Sequence, residues 1–177
     1  MDHAPSGRGH RIATRLLLPL AVIFAALAVL WTLFAPLRVE GDSMLPGLHD
    51  GDRALVTRFY ARASRGDVVH IDGFGPDGTT EGRYVKRVIA IEGDRVRIEF
   101  GRALVNDGAE QTAAPLLTSD ADVSLGEITV PPGHVYVLGD NRPVSLDSRF
   151  YGPVPLEAVA GRLVLVFAPV TRAGAVD

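Results

Sequence analysis

The sequence predicts a mainly β domain with barrel-like sheets, preceded by one membrane-spanning helix. Three observations lead there. Leu16 to Leu37 run without a charge, "LLLPLAVIFAALAVLWTLFAPL". Beyond Arg38 the chain breaks into short β-rich runs separated by turn signals such as "RGD", "EGD", "PPG" and "GPVP". And nowhere beyond residue 38 does an apolar stripe of 3.6-residue period extend past two turns.

The apolar run 16–37, at 1.5 Å per residue, gives roughly 33 Å of helix against a hydrocarbon core of about 30 Å. Pro19 falls in its first turn, where a missing N–H costs little, and Trp31 lies near the far end as an interfacial anchor. Arg8, Arg11 and Arg15 precede it against the single acid Asp2, which places residues 1–15 in the cytoplasm as a tail and the rest outside. A cleaved secretory signal is the competing reading. Its apolar core is normally about 7–15 residues long and ends in a small-x-small site. This run is longer, and "FAPLRVEG" is a poor site. The expectation is a retained, single-pass plasma-membrane anchor.

Residues 38–170 are expected to form the extracytoplasmic β domain and 171–177 a tail. The candidate strands are 53–60, 67–71, 84–91, 95–100, 103–107, 134–140 and 161–169. In "RVRIEFGRALVND" the period of two puts Val96, Ile98 and Phe100 on one face and Arg95, Arg97 and Glu99 on the other, with a turn at Gly101–Arg102. "PLEAVAGRL" has room for one helical turn. Two stretches read as excursions: 72–82, an exposed hairpin loop, and 108–128, long and weakly patterned.

Composition narrows the function. A net charge of −3 from 18 basic and 21 acidic residues gives no field suited to nucleic acid. There is no cysteine, and His3, His10, His49, His70 and His134 show no metal-ligand spacing. Neither a metal nor another cofactor is implied.

What remains is "GDSMLPG" (41–47), a serine in a turn just past the anchor. A serine hydroxyl is a poor nucleophile until a base takes its proton. Histidine is the usual base, yet no histidine here has a distinctive setting. The alternative is a lysine desolvated enough to be neutral near pH 7. Lys86, inside "YVKRVIAIEGD", has apolar neighbours on both sides. On a strand Tyr84, Lys86 and Val88 share one face and Val85, Arg87 and Ile89 the other, so one of the two basic residues should point inward. The sequence leaves open which.

"GDSMLPG", "YVKRVIAIEGD" and "GDNRPVSLDSRFYGPVP" (139–155) stand in an order that resembles the bacterial type I signal peptidases, membrane-bound serine proteases of the S26 family. With the anchor and the closing strand, the resemblance spans about residues 14–170. It implies that family's complex β fold and the removal of N-terminal signal peptides after an Ala-x-Ala-like site, through an acyl-enzyme. Ser43 matches the nucleophile, whose backbone N–H would serve the oxyanion hole, and Lys86 matches the general base. Met44 matches the methionine that shapes the binding surface, and Met44 and Tyr84 are the substrate-binding candidates. Pro46 matches the proline that fixes the turn. Ser145 matches a serine whose hydroxyl orients the lysine amine, and Asp140, Asp147 and Arg149 match polar supports of that loop.

The chain departs from the pattern at Gly47, where many members carry threonine. It departs again at Gly41, where some carry a serine that completes the oxyanion hole. The implied partners are signal peptides of secreted preproteins, membrane lipid and the protein-export translocon. Two other readings compete. A self-cleaving repressor with the same chemistry would lack the span. A membrane-anchored β domain that only binds a partner would not depend on Lys86.

Overall fold

The structure is a computed structural model that describes residues 8–74, 82–110 and 124–176, with side chains from Leu17 onward. The chain divides into two units, Met1–Phe34 and Ala35–Asp177.

In the first unit, α1 spans Arg8–Leu33. The helix expected over 16–37 therefore stops at Leu33, and Phe34–Arg38 become strand β1. Pro36 supplies the reason: it has no N–H to continue the helix and drives the residue before it to extended geometry. Every side chain from Leu17 to Leu33 is exposed, including Leu18, Ile23, Phe24 and Trp31. Among the described residues no helix is long and apolar enough to cross a membrane.

The second unit is built from β2 (Arg53–Thr57), β3 (Val68–Asp72), β4 (Arg83–Ile91), β5 (Arg95–Glu99), β6 (Arg102–Val105), β7 (Gly108–Ala109), β8 (Leu125–Thr129), β9 (His134–Leu138), the single-turn helix α2 (Ser148–Tyr151), β10 (Val154–Pro155), β11 (Val159–Ala168) and β12 (Gly174–Ala175). One sheet runs β1-β2-β11-β3-β4-β9-β10 with β12 against β11; a second runs β7-β6-β5-β8. Among the described residues both paths are open, with β1 and β10 at the ends of the larger one, so the barrel-like sheets are curled half-barrels. Register shifts at Leu163/Leu165 and Val166/Ala168 mark bulges in β11, and bulges bend a strand. Residues 75–81 and 111–123, inside the two expected excursions, lie outside the described residues.

The core has three parts. Val96 and Ile98 bury their β5 face against Ile89, Tyr136 and Leu138, joining the small sheet to β4 and β9. Phe100 does not join them. It is 69% exposed, because with φ 50° it begins the turn into β6 and the strand alternation ends before it. A second cluster holds Val39, Met44, Leu48, Ala54, Val56 and Leu163 beneath the segment that carries Ser43. The third joins Val69, Ile71, Val88, Val137 and Val159 across β3, β4, β9 and β11.

The segment expected as a C-terminal tail is tied down. β12 pairs Leu165 with Ala175, and Arg172 Nε and Nη2 donate to Asp52 Oδ1 at 2.9 and 2.6 Å. Asp52 Oδ2 in turn accepts the His49 N–H at 2.9 Å. Burial works against the Asp52 carboxylate, but the Arg172 guanidinium and the His49 N–H outweigh it and hold its pKa below the ordinary value. A carboxyl depressed in the folded state stabilises above its unfolded pKa and loses that contribution as the pH falls. Arg172→Ala should therefore lower unfolding stability by about 2 kcal/mol at pH 7. Denaturant titrations of both proteins should show this deficit shrinking below about pH 4.

Candidate active site

Ser43 sits in a hydrogen-bonded loop. Val39 N–H donates to Asp52 O at 2.8 Å, Gly51 N–H to Val39 O at 2.9 Å, and Gly41 N–H to Asp50 Oδ1 at 2.9 Å. Gly41 has φ 79°, the left-handed region where glycine carries no Cβ penalty. That conformation gives its presence here a backbone reason. Met44 and Leu48 are buried below, and Leu48 N–H closes a turn on Met44 O at 2.9 Å.

Met44 is only 2% exposed and packs in the core. The structure thus places it under the turn and away from the cleft lining, where the sequence suggested a substrate contact. Pro46 lies exposed in the same turn.

β4 delivers the lysine. It pairs with β3 over Arg83–Arg87 and with β9 from Arg87 onward, so among the described residues Lys86 has a partner strand on one edge only. Of Lys86 and Arg87 one was expected to point inward, and both are buried. Arg87 Nε and Nη2 donate to Asp140 Oδ1 and Oδ2 at 2.9 and 2.8 Å, and Nη1 to Gly66 O at 2.8 Å. Lys86, on the opposite face, is 3% exposed and its Nζ lies 2.8 Å from Ser43 Oγ. Burial pushes its pKa down to about 8; Asp147 and Asp140 oppose the fall, and Arg149 adds to it. An amine with that pKa is substantially neutral at mildly alkaline pH and can accept a hydroxyl proton.

The loop from Gly139 to Arg149 closes the far side. Gly139 N–H donates to Asp147 Oδ2 at 3.0 Å, and Asp147 caps α2 by accepting Arg149 N–H at 3.3 Å. Arg149 Nε donates to Asp147 Oδ1 at 2.8 Å, while its Nη2 reaches Asp147 Oδ2 at 3.0 Å, Arg142 O at 2.7 Å and Ser145 O at 3.1 Å. Asp147 and Arg149 form an ion pair within the loop, whereas Asp140 pairs across to β4.

Ser145 departs from expectation. Its side chain is buried, but among the described residues Oγ has no hydrogen-bond partner, and the bond expected to the Lys86 amine is not made. The hydroxyl is instead packed against Gly139: a Cβ built there would fall 2.3 Å from Ser145 Oγ and 2.5 Å from Ser43 O.

Two residues quoted in the sequence without a role also belong to the site. Asn141 Nδ2 donates to Asp42 O at 3.0 Å and its N–H to Ser43 O at 3.0 Å. Arg142, fully buried, donates through Nε to Gly139 O at 2.8 Å and pairs with Glu110 and Gly101 O, fastening the loop to the small sheet. Their only signal in the sequence was polarity inside "GDNRP".

A cleft of about 450 Å³ opens over the Ser43–Lys86 pair, lined also by Leu45, Tyr84, Asn141, Val144 and Leu146. No histidine is among its described lining residues. The arrangement suits acyl transfer: a hydroxyl, an amine able to be neutral, and apolar wall residues beside Glu40 and Asp42.

Comparison with known proteins identifies the family. The profile of the signal peptidase family, peptidase S26, matches residues 12–168. Signal peptidase I of Bacillus licheniformis is 36% identical over 166 residues, covering 84% of this chain and 86% of that protein. Signal peptidase I T of Bacillus subtilis (strain 168) is 35% identical over 161 residues, covering 83% and 80%. The solved structure of a signal peptidase I from Enterococcus faecalis V583 aligns at 25% identity with a TM-score of 0.48, covering 60% of this chain and 100% of that one. The family match and the two Bacillus relatives define a serine peptidase. The chain belongs to the signal peptidase family, peptidase S26.

The Gly139 contacts give a prediction. A methyl group there must displace Ser145 Oγ or the Ser43 carbonyl, an overpacking cost of about 1–3 kcal/mol. Gly139→Ala should lower peptidase activity by at least tenfold while changing thermal unfolding only modestly. Assay and melting curve together check it.

Proposed function

We propose that this chain is a membrane-anchored signal peptidase that removes N-terminal signal peptides from exported preproteins, with Ser43 as nucleophile and Lys86 as general base. The observation that carries the mechanism is the 2.8 Å contact between Lys86 Nζ and Ser43 Oγ at a buried, depressed-pKa amine.

In this mechanism neutral Lys86 takes the Ser43 proton as Oγ attacks the scissile carbonyl. The oxyanion forms at the Ser43 N–H, with no side-chain donor from Gly41. The Lys86 ammonium then returns its proton to the leaving amine, leaving an ester on Ser43. Lys86, neutral again, activates water to hydrolyse that ester, and the proton ends on Ser43 Oγ. Asp140, Asp147 and Arg149 hold the loop around the pair, and Ser145 fills the space beside it.

The cleft supports recognition of an extended substrate. β9 pairs with β4 only from Arg87 onward, so on that side Arg83–Lys86 have no partner strand among the described residues. A peptide added there would use backbone hydrogen bonds, and its alternate side chains would face the enzyme. Only the first and third residues upstream of the cut are then tested for size, which gives an Ala-x-Ala-like preference. Tyr84, half-buried on the cleft wall, is placed to contact them.

The anchor reading rests on the charge-free run at 16–37 and on the exposed apolar surface of α1 from Leu17 to Leu33. A helix apolar all round belongs in lipid. Residues 1–15 would be cytoplasmic and the β domain extracytoplasmic, with preproteins, lipid and the export translocon as neighbours. Only ten or so positions separate Leu33 from Ser43. Enzyme and substrate tethered in one bilayer would search two dimensions rather than three.

Cleavage of an Ala-x-Ala peptide with mapped product termini tests the chemistry. Ser43→Ala and Lys86→Ala should each lose at least a thousandfold in kcat. A Lys86→Ala protein that still cleaves would exclude lysine as the base, and a wild-type protein that cleaves nothing would leave only the partner-binding reading. Wild-type kcat/KM should rise with pH through about 8, because the base must lose its proton. A flat profile from pH 5 to 10 would contradict a lysine base. Leucine at either tested position should slow cleavage about tenfold or more, and leucine between them little. Externally added protease should digest the β domain on intact cells; protection would refute the topology.

A further inference from the structure

The peptide bond between Asp42 and Ser43 carries, at one end, the N–H assigned above to the oxyanion. At its other end is the Asp42 carbonyl. The bond is trans, so the two groups point in opposite directions from one rigid plane. Whatever fixes the carbonyl fixes the N–H.

Asn141 fixes it. Its Nδ2 donates to Asp42 O at 3.0 Å, across 99 residues of chain, and its backbone N–H donates to Ser43 O at 3.0 Å. The facing atom must be the amide nitrogen, since a carbonyl only accepts. One residue thus ties the peptide planes on both sides of the nucleophile's Cα. Asp42 O receives one other bond, from Leu45 N at 3.2 Å, which closes the local turn. The Ser43 N–H itself makes no hydrogen bond among the described residues, and Ser43 and Asn141 both line the cleft.

We propose that Asn141 is a positioning residue for the oxyanion: its carboxamide, bound to Asp42 O, aims and polarises the Ser43 N–H. A donor on the carbonyl shifts electron density from the nitrogen of the same peptide and strengthens its N–H as a donor. The effect matters most where there is no second side-chain donor, and Gly41 offers none. Asn141 touches neither the scissile bond nor Lys86. The inference rests on the acyl-transfer reading of Ser43 and Lys86, and it deepens that reading.

The test uses the full-length protein as wild type, Asn141→Ala and Asn141→Leu. Both variants keep the backbone N–H to Ser43 O and remove the side-chain donor; leucine keeps most of the volume and adds no charge near Lys86. Three quantities are measured: kcat and KM on an Ala-x-Ala peptide, their pH dependence, and inhibition by a peptide boronic acid. The boronic acid forms a tetrahedral adduct on a serine and places an oxygen in the oxyanion position.

Loss of the clamp should lower kcat roughly three- to tenfold, the range of one net hydrogen bond. The boronate Ki should rise by a similar factor, with KM and the pH midpoint unchanged. A wild-type kcat in both variants would overturn the proposal. So would a loss that appears only in KM, which means substrate contact, or one that follows a shifted pH midpoint, which means action through Lys86. If the alanine protein fails to fold, the leucine protein decides by the same criteria. If both melt early, the ratio of boronate to substrate affinity in whatever folded fraction remains decides: an unchanged ratio refutes the role. Inert Ser43→Ala beside unaffected Asn141 variants would sink this inference alone, whereas an active Ser43→Ala protein would sink the reading beneath it.

Discussion

Burying the Lys86 amine beside the Ser43 hydroxyl is costly in its charged form, because an ammonium loses its water and no carboxylate among the described residues bonds to it directly. The protein meets that cost by letting the amine's pKa fall toward neutrality, and a neutral amine is the state in which it can act as a base. Burial and reactivity are therefore one property. The requirement is geometric: the strand that brings Lys86 must bury both of its faces while the edge beside the lysine stays free. β4 does so, with Lys86 and Arg87 buried on opposite faces, β3 paired along its first half and β9 only along its second.

Three buried arginine–carboxylate pairs surround this apolar-seated lysine, and each has a distinct mechanical task. Arg87–Asp140 ties β4 to the start of the loop, Asp147–Arg149 closes the loop on itself, and Arg142–Glu110 fastens it to the small sheet. Such pairs contribute little net stability over apolar packing, but breaking one strands a charge in the interior. That asymmetry makes them good fixtures. They define position more than they add energy, and a proton transfer over a few ångström depends on position.

The Ser43 side is fixed by other means. Asp50 and Asp52 collect backbone N–H groups of the 39–52 loop, Met44 and Leu48 root it in the core, and Asn141 binds the two carbonyls flanking Ser43. Arg172 reaches back from the last turn of the chain to neutralise Asp52. The site is thus assembled from segments near residues 43, 86, 141 and 172, and no single element contains it.

Sequence by itself was sufficient for whatever depends on neighbours along the chain. Alternation marked β5 and most of the other strands, turn residues marked their ends, and the charge-free run marked an apolar helix. Three ordered motifs pointed to Ser43 and Lys86. It failed at Phe100, which continues an apolar alternation that the turn at φ 50° breaks off, leaving the ring in solvent. Pro36 could have shortened the helix, but the apolar run masked it. Only the tertiary structure decided that both Lys86 and Arg87 are buried, since that follows from cover on the two faces of β4 and not from β4 itself. The same holds for Met44 in the core, for Ser145 packed on Gly139 without a bond to the amine, and for Arg172 and Asn141 as anchors. The bonds of Arg87, Asn141 and Arg172 reach partners dozens of residues away, and a contact over that separation leaves no periodicity in the chain to read; the Ser145–Gly139 contact is short in sequence but set by how the loop folds.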